Sequence, residues 1–134
     1  MKNHITALFS IILLLFVSCK NEDLDPLNIE GKWEVESSFN GWAGEQRYPP
    51  GNGQILIFGK SSYENYRQDT LFASGSYKII QATNYLTNTI GNKIIYDNNT
   101  DAINTFVEIN DRKLYISINA ADAGSATYRK ISNH

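Results

Sequence analysis

The chain alternates apolar and polar positions in short runs, beginning near residue 32. Within 32–37, Trp33 and Val35 share one face while Lys32, Glu34 and Glu36 share the other, the pattern of a half-buried strand. A Gly-, Pro- and Asn-rich stretch, 40–53, reads as a long loop. Residues 54–58 form an apolar strand, 59–62 a turn and 63–68 its hairpin partner. The next strand is 74–80, with Tyr77 and Ile79 on one face, followed by a short one at 85–89. Gly91 and Asn92 are expected to turn the chain into 93–96. A polar turn at 97–101 precedes the strand 105–110, Asp111-Arg112 forms a tight turn, and 113–118 puts Leu114, Ile116 and Ile118 together. A small-residue loop, 120–125, leads to a closing strand at 126–131. Only the N-terminal segment and a turn near 69–73 suit a helix. About eight strands joined by hairpin-length turns predict an all-β antiparallel up-and-down barrel or a sandwich, and closure is favoured because it removes exposed edges.

The first 28 residues follow other rules. Lys2 gives a weakly basic start, and 5–17 is apolar except for Thr6 and Ser10. Thirteen residues rise about 20 Å as a helix, too short for ~30 Å of hydrocarbon, so the run reads as a signal peptide, 1–18. It ends Leu15-Phe16-Val17-Ser18-Cys19, which resembles a bacterial lipobox, with Phe16 where that pattern prefers Leu. The resemblance implies that Cys19, the only cysteine, is lipidated and becomes the mature N-terminus. Lys20-Asn21-Glu22-Asp23 is similar to the export signal of Bacteroidota surface lipoproteins. Residues 19–28, with Pro26 and several acids, read as a tether to a domain at 29–134. The expected location is the outer membrane, lipid-anchored, on its periplasmic or cell-surface side.

Within the domain, Gly31-Lys32-Trp33 resembles the Gly-x-Trp opening of lipocalins. Gly75-Ser76-Tyr77-Lys78-Ile79 resembles a mid-barrel strand of small bacterial lipocalin-like lipoproteins, and Tyr128-Arg129-Lys130 their closing strand. The chain is shorter than eukaryotic lipocalins and lacks their final helix. The resemblance implies a lipocalin-like barrel in which Gly31 opens the first strand and Trp33 plugs the closed end. A cation from the last strand, Arg129 by the resemblance or Lys130, would cover the indole, a contact worth about 0.5–2 kcal/mol.

Charge and composition then narrow the function. A net charge of −2 excludes a basic nucleic-acid face, and a single Cys excludes a disulfide scaffold. His4 and His134 are the only histidines and lie at the two ends, so a histidine-based triad or zinc site lacks its base or ligands. Glu34 and Glu36 share the face opposite Trp33 and read as solvated acids. Asp97, Asn99, Asp101 and Glu108 fall at calcium-loop positions, but Ala102 replaces the turn glycine and the flanks are strand-like, which favours a polar hairpin loop. Asp69-Thr70-Leu71 fits a Bacteroidota O-glycosylation triplet, a three-residue pattern that recurs by chance.

What remains is binding, with no enzyme activity, cofactor or metal expected. The 40–53 loop carries Trp42, Arg47 and Tyr48 beside Pro49-Pro50 and is expected to lie over the barrel mouth. Together with Tyr63, Tyr66, Tyr77, Tyr96 and Tyr115 it supplies candidate ligand contacts. The leading expectation is a small apolar molecule held at the mouth. The alternative is a filled barrel whose loops bind a surface protein or glycan. The interior volume discriminates between them.

Overall fold

The computed structural model describes residues 27–120 and 122–132; the signal segment, Cys19 and the tether up to Pro26 lie outside the described residues. Nine strands follow in order: β1 (Gly31–Asn40), β2 (Gly44–Arg47), β3 (Gln54–Phe58), β4 (Ser62–Arg67), β5 (Thr70–Asn84), β6 (Thr89–Tyr96), β7 (Thr105–Asn110), β8 (Lys113–Ile118) and β9 (Ser125–Ser132). Among the described residues there is no helix. Every pairing is antiparallel between neighbours from β3 to β9, and β1 pairs with both β3 and β9. Eight strands therefore close an up-and-down barrel of the expected lipocalin-like kind. The ninth, β2, is extra: it pairs with Ser37–Asn40 at the far half of β1, beyond the β1–β3 ladder.

Up-and-down order sorts the connections. The β3–β4, β5–β6 and β7–β8 turns, Leu27 and the end of β9 gather at one end, hereafter the tether end. The β1–β2 tip and the β4–β5, β6–β7 and β8–β9 loops gather at the other, the loop end. Lys32 is the cross-strand partner of Ser132, so the barrel begins and ends side by side.

Alternation dictates the lining. Trp33, Leu56, Phe58, Ile94, Val107 and Leu114 are buried together with Ile29, and Tyr63, Tyr77, Tyr96, Ile109, Ile116 and Tyr128 pack against them. Gly31 opens β1 at φ 134°, a conformation that side-chain-bearing residues avoid, and it is itself buried. Two residues on, Trp33 is fully enclosed, its Nε1 donating to the Ile29 carbonyl at 2.8 Å.

Four local expectations are corrected. Residues 85–88 are a turn, not a strand. Gly91 and Asn92 lie inside β6, where Gly91 leaves room for the Phe106 ring, which an added Cβ would meet at 3.1 Å. The 69–73 stretch is the β4–β5 turn and the start of the 15-residue β5, with a bulge opposite Asn65/Tyr66. The 40–53 loop contains β2.

Candidate functional site

The barrel interior is occupied by rings. Tyr77 and Phe58 meet edge to face at a centroid distance of 4.9 Å, as do Tyr63 and Tyr96 at 4.8 Å. Tyr77 donates its hydroxyl to the Gly59 carbonyl at 2.8 Å, and Tyr63 donates to Asp97 Oδ2 at 3.2 Å. Burial pushes the Tyr96 and Tyr128 phenols up from their ordinary pKa, and Tyr63 moves the same way through burial and the Asp97 carboxylate. At the mouth, a cavity of about 110 Å³ lies between Val35, Gln54, Leu56, Asn65, Arg67 and Tyr128.

The 40–53 segment does not lie over that mouth. Its first part is a hairpin that extends β1, with Asn40 Oδ1 accepting from Trp42 N at 3.1 Å and Ala43 N at 2.6 Å to shape the tip. Trp42 stands at the tip 95% exposed. Arg47 is exposed on β2, 3.2 Å from Glu45. The second part straps the outer wall. Tyr48 N donates to the Glu36 carbonyl at 2.9 Å, Asn52 Nδ2 donates to the Val35 carbonyl at 2.9 Å, and Gly51 N donates to Glu34 Oε1 at 2.8 Å. Proline is what makes the strap affordable, because two fixed φ angles lower the cost of ordering it.

Under the strap lies an ion pair that the sequence reading missed. Glu34 is 3% exposed, not a solvated outer-face acid. Arg129 Nε stands 3.4 Å from Glu34 Oε2, and its Nη2 donates to the Tyr48 carbonyl at 2.6 Å and the Val35 carbonyl at 3.3 Å. Arg129 is therefore on the wall opposite Trp33. Lys130, the next residue and thus on the other face, places Nζ 5.2 Å from the indole centroid. Glu36 behaves as a surface acid should, 2.9 Å from Lys113 Nζ. The legible signal for the strap was the Asn- and Pro-rich composition after β2; nothing local marked Glu34 as buried.

The eight candidate contacts do not converge. Tyr63, Tyr77 and Tyr96 are core, joined by Tyr128, which the sequence reading placed only in the closing motif. Trp42 and Arg47 are on the hairpin, and Tyr48 is in the strap with its hydroxyl 3.2 Å from Ser38 Oγ. Tyr66 is on the outer wall, donating to Glu64 at 2.9 Å. Tyr115 faces outward opposite Glu108, beside a cleft of about 420 Å³ that opens where β6 and β7 separate. The loop end also exposes Phe39, Leu71, Phe72 and Ile103, with Arg67 over the Phe72 ring at 3.8 Å.

Asp97 is not poised for calcium. Its Oδ1 accepts from Ser76 N at 2.8 Å and its Oδ2 from Tyr63, while Glu108 sits in β7. Among the described residues no three His, Cys, Asp or Glu side chains gather into a metal-binding group.

No protein-family model, curated protein or solved structure matches this chain.

Proposed function

We propose that this protein is a lipid-anchored binding module of the outer membrane, held by Cys19, which meets a surface protein or glycan through the loop end of a filled barrel and is not an enzyme. The observation that carries the reading is the mouth cavity of about 110 Å³. Pockets that enclose a small molecule run to about 300–1,000 Å³, so a ligand inside the barrel would have to displace packed tyrosines. The exposed apolar side chains at the loop end support the second half of the reading. Trp42 offers a large rigid contact area with two rotors to freeze, and hot spots favour such residues.

Two measurements test it. Native mass spectrometry of the detergent-extracted protein is expected to show the acylated chain alone. A stoichiometric apolar companion that is lost on Leu56→Trp, which fills the mouth, would overturn the filled-barrel reading. A photoreactive residue at position 42 is expected to capture a discrete partner on intact cells, whereas one at Ser74 on the outer wall is not. Equal capture at both positions, or none at position 42, removes the loop end as the recognition surface.

A further inference from the structure

The tether end carries an apolar feature that barrel closure does not require. β5 and β6 run on past the β3–β4 turn as a two-stranded hairpin, pairing Ala82 with Gly91 and Asn84 with Thr89, while β6 leaves β7 at Asn92. At its tip Tyr85 is 79% exposed, Leu86 63% and Ile90 75%. The tip is ordered by its own polar side chains. Asn84 Oδ1 accepts from Leu86 N at 3.0 Å and Thr87 N at 3.3 Å, and Thr87 and Thr89 hydroxyls lie 2.7 Å apart. Three large side chains with apolar surface are thus held outward rather than folded onto the barrel.

We infer that this hairpin tip is a second membrane contact, seating Tyr85 and Leu86 in the interface of a phospholipid bilayer beside the lipid anchor. The inference rests on the anchored reading of Cys19. Three observations select a bilayer as the occupant. Leu27, where the described chain begins, is at the same end of the barrel as the hairpin. It lies eight positions after Cys19, and eight extended residues reach at most about 30 Å. That end is therefore confined near the surface. Tyrosine with an aliphatic neighbour is the pair that suits a boundary wet on one side and apolar on the other. Charge agrees at the far end. The loop end carries Glu45, Asp69, Asp97, Asp101 and Asp122 against Arg47 and Arg67, whereas Lys60 and Lys78 line a cavity with Leu27 and Glu30 at the tether end and offset the acids of the tether itself. An acidic end is disfavoured against anionic headgroups, which orients the barrel with its loop end away from them.

The test uses the processed full-length protein in vesicles of phosphatidylethanolamine with a minority of phosphatidylglycerol. Leu86→Cys supplies a labelling site for a polarity-sensitive dye, and Trp42→Cys supplies the same at the opposite end. The expected result is a blue-shifted emission for the label at position 86 on reconstitution and a water-like emission at position 42. In a Cys19→Ala background, Tyr85→Ser combined with Leu86→Ser is expected to weaken vesicle binding at least about tenfold, the loss that one of the two large side chains alone would give. A water-like label at position 86 in protein that sediments with the vesicles overturns the inference, as does an equal shift at position 42. A shift that follows protein concentration instead of lipid assigns the tip to a second copy of the chain and overturns it too. Protein without an introduced thiol is the separate control. Dye uptake there means Cys19 is free, and the anchoring itself fails.

Discussion

Consecutive residues of one strand do opposite jobs here. Trp33 points into the barrel and Glu34 out of it, yet both are buried, because the strap covers the outer face. Trp33→Ala is expected to cost about 3–5 kcal/mol in urea unfolding, the usual range for deleting an enclosed large aromatic. Trp33→Phe is expected to cost less, chiefly the stranded Ile29 carbonyl at about 1–3 kcal/mol. Glu34→Ala leaves the Arg129 guanidinium without its counter-ion but still donating to two carbonyls. A loss of about 2–3 kcal/mol is expected, below the ~3–5 of a fully isolated charge. If Glu34→Ala unfolds no more easily than Glu36→Ala, the strap does not depend on the pair. The neighbouring Glu36–Lys113 pair is different. The hydrogen bond from Lys113 holds the Glu36 carboxyl below the usual carboxylate range, and the bond to Glu36 raises Lys113 above the usual lysine value. A lowered acid contributes stability above its unfolded pKa and loses it as pH falls through the folded one. A raised lysine contributes below its unfolded pKa and loses it as pH rises through the folded one. Glu36→Gln is therefore expected to change melting little at neutral pH, since both side chains are partly exposed, and to flatten the acid limb of melting temperature against pH.

Strands with a clear apolar signal were legible: β7 and β8 sit where their alternation places them, and β3 where its continuous apolar run does. Strands made of small or polar residues were not. β5 runs to Asn84 through Gln81 and Thr83, which show no apolar period, because its ladder to β6 needs backbone groups rather than side chains. β2 hid inside a turn-rich stretch for the same reason. Gly75 has a packing role: β6 ends against it, and a Cβ there would overlap the Asp97 carboxylate. Asp97 in turn bonds to Ser76 N and Tyr63 and takes φ 53°, a left-handed conformation that Asp tolerates better than most residues. The glycine and the aspartate form one latch that fixes the end of β6 on the β4–β5 hairpin. Gly75→Ala is expected to destabilise by about 1–3 kcal/mol through overpacking. In an Asp97→Ala background the same substitution is expected to cost clearly less, a coupling that a double-mutant cycle measures. Additive costs would mean that the glycine and the aspartate act separately.

At the scale of the molecule, one ladder decides whether there is a barrel at all. β1 and β9 pair along nearly their full lengths, and two bulges, one leaving Ile131 extra in β9 and one leaving Glu36 extra in β1, bend the pair into the closing curve. Sequence could propose closure, because eight strands with open edges are a liability, but it could not say what the closed interior holds. Whether Tyr63, Tyr77 and Tyr96 line a cavity or fill it depends on shear and tilt, which no single strand encodes. Register did follow from alternation: Tyr63 and Tyr66, three apart, had to face opposite ways, so they could not both belong to one pocket. Closure also brings the domain's ends together, since Lys32 and Ser132 are cross-strand partners at the tether end. A permuted chain that joins Ser132 to Asn28 through a short Gly-Ser linker and opens between Asn99 and Thr100 would cut only an exposed loop. Every ladder would survive, and no strand edge would be uncovered. Such a permutant is expected to unfold in one transition, with a midpoint close to that of the parent domain. Deleting β9 instead strips β1 and β8 of a partner each and removes Tyr128 from the core and Arg129 from the strap; that chain is expected to aggregate rather than fold. Circular dichroism and denaturant unfolding of the two chains separate the cases. A permutant that fails while the truncated chain folds would mean that the β1–β9 ladder is dispensable and that the sheet is stable open.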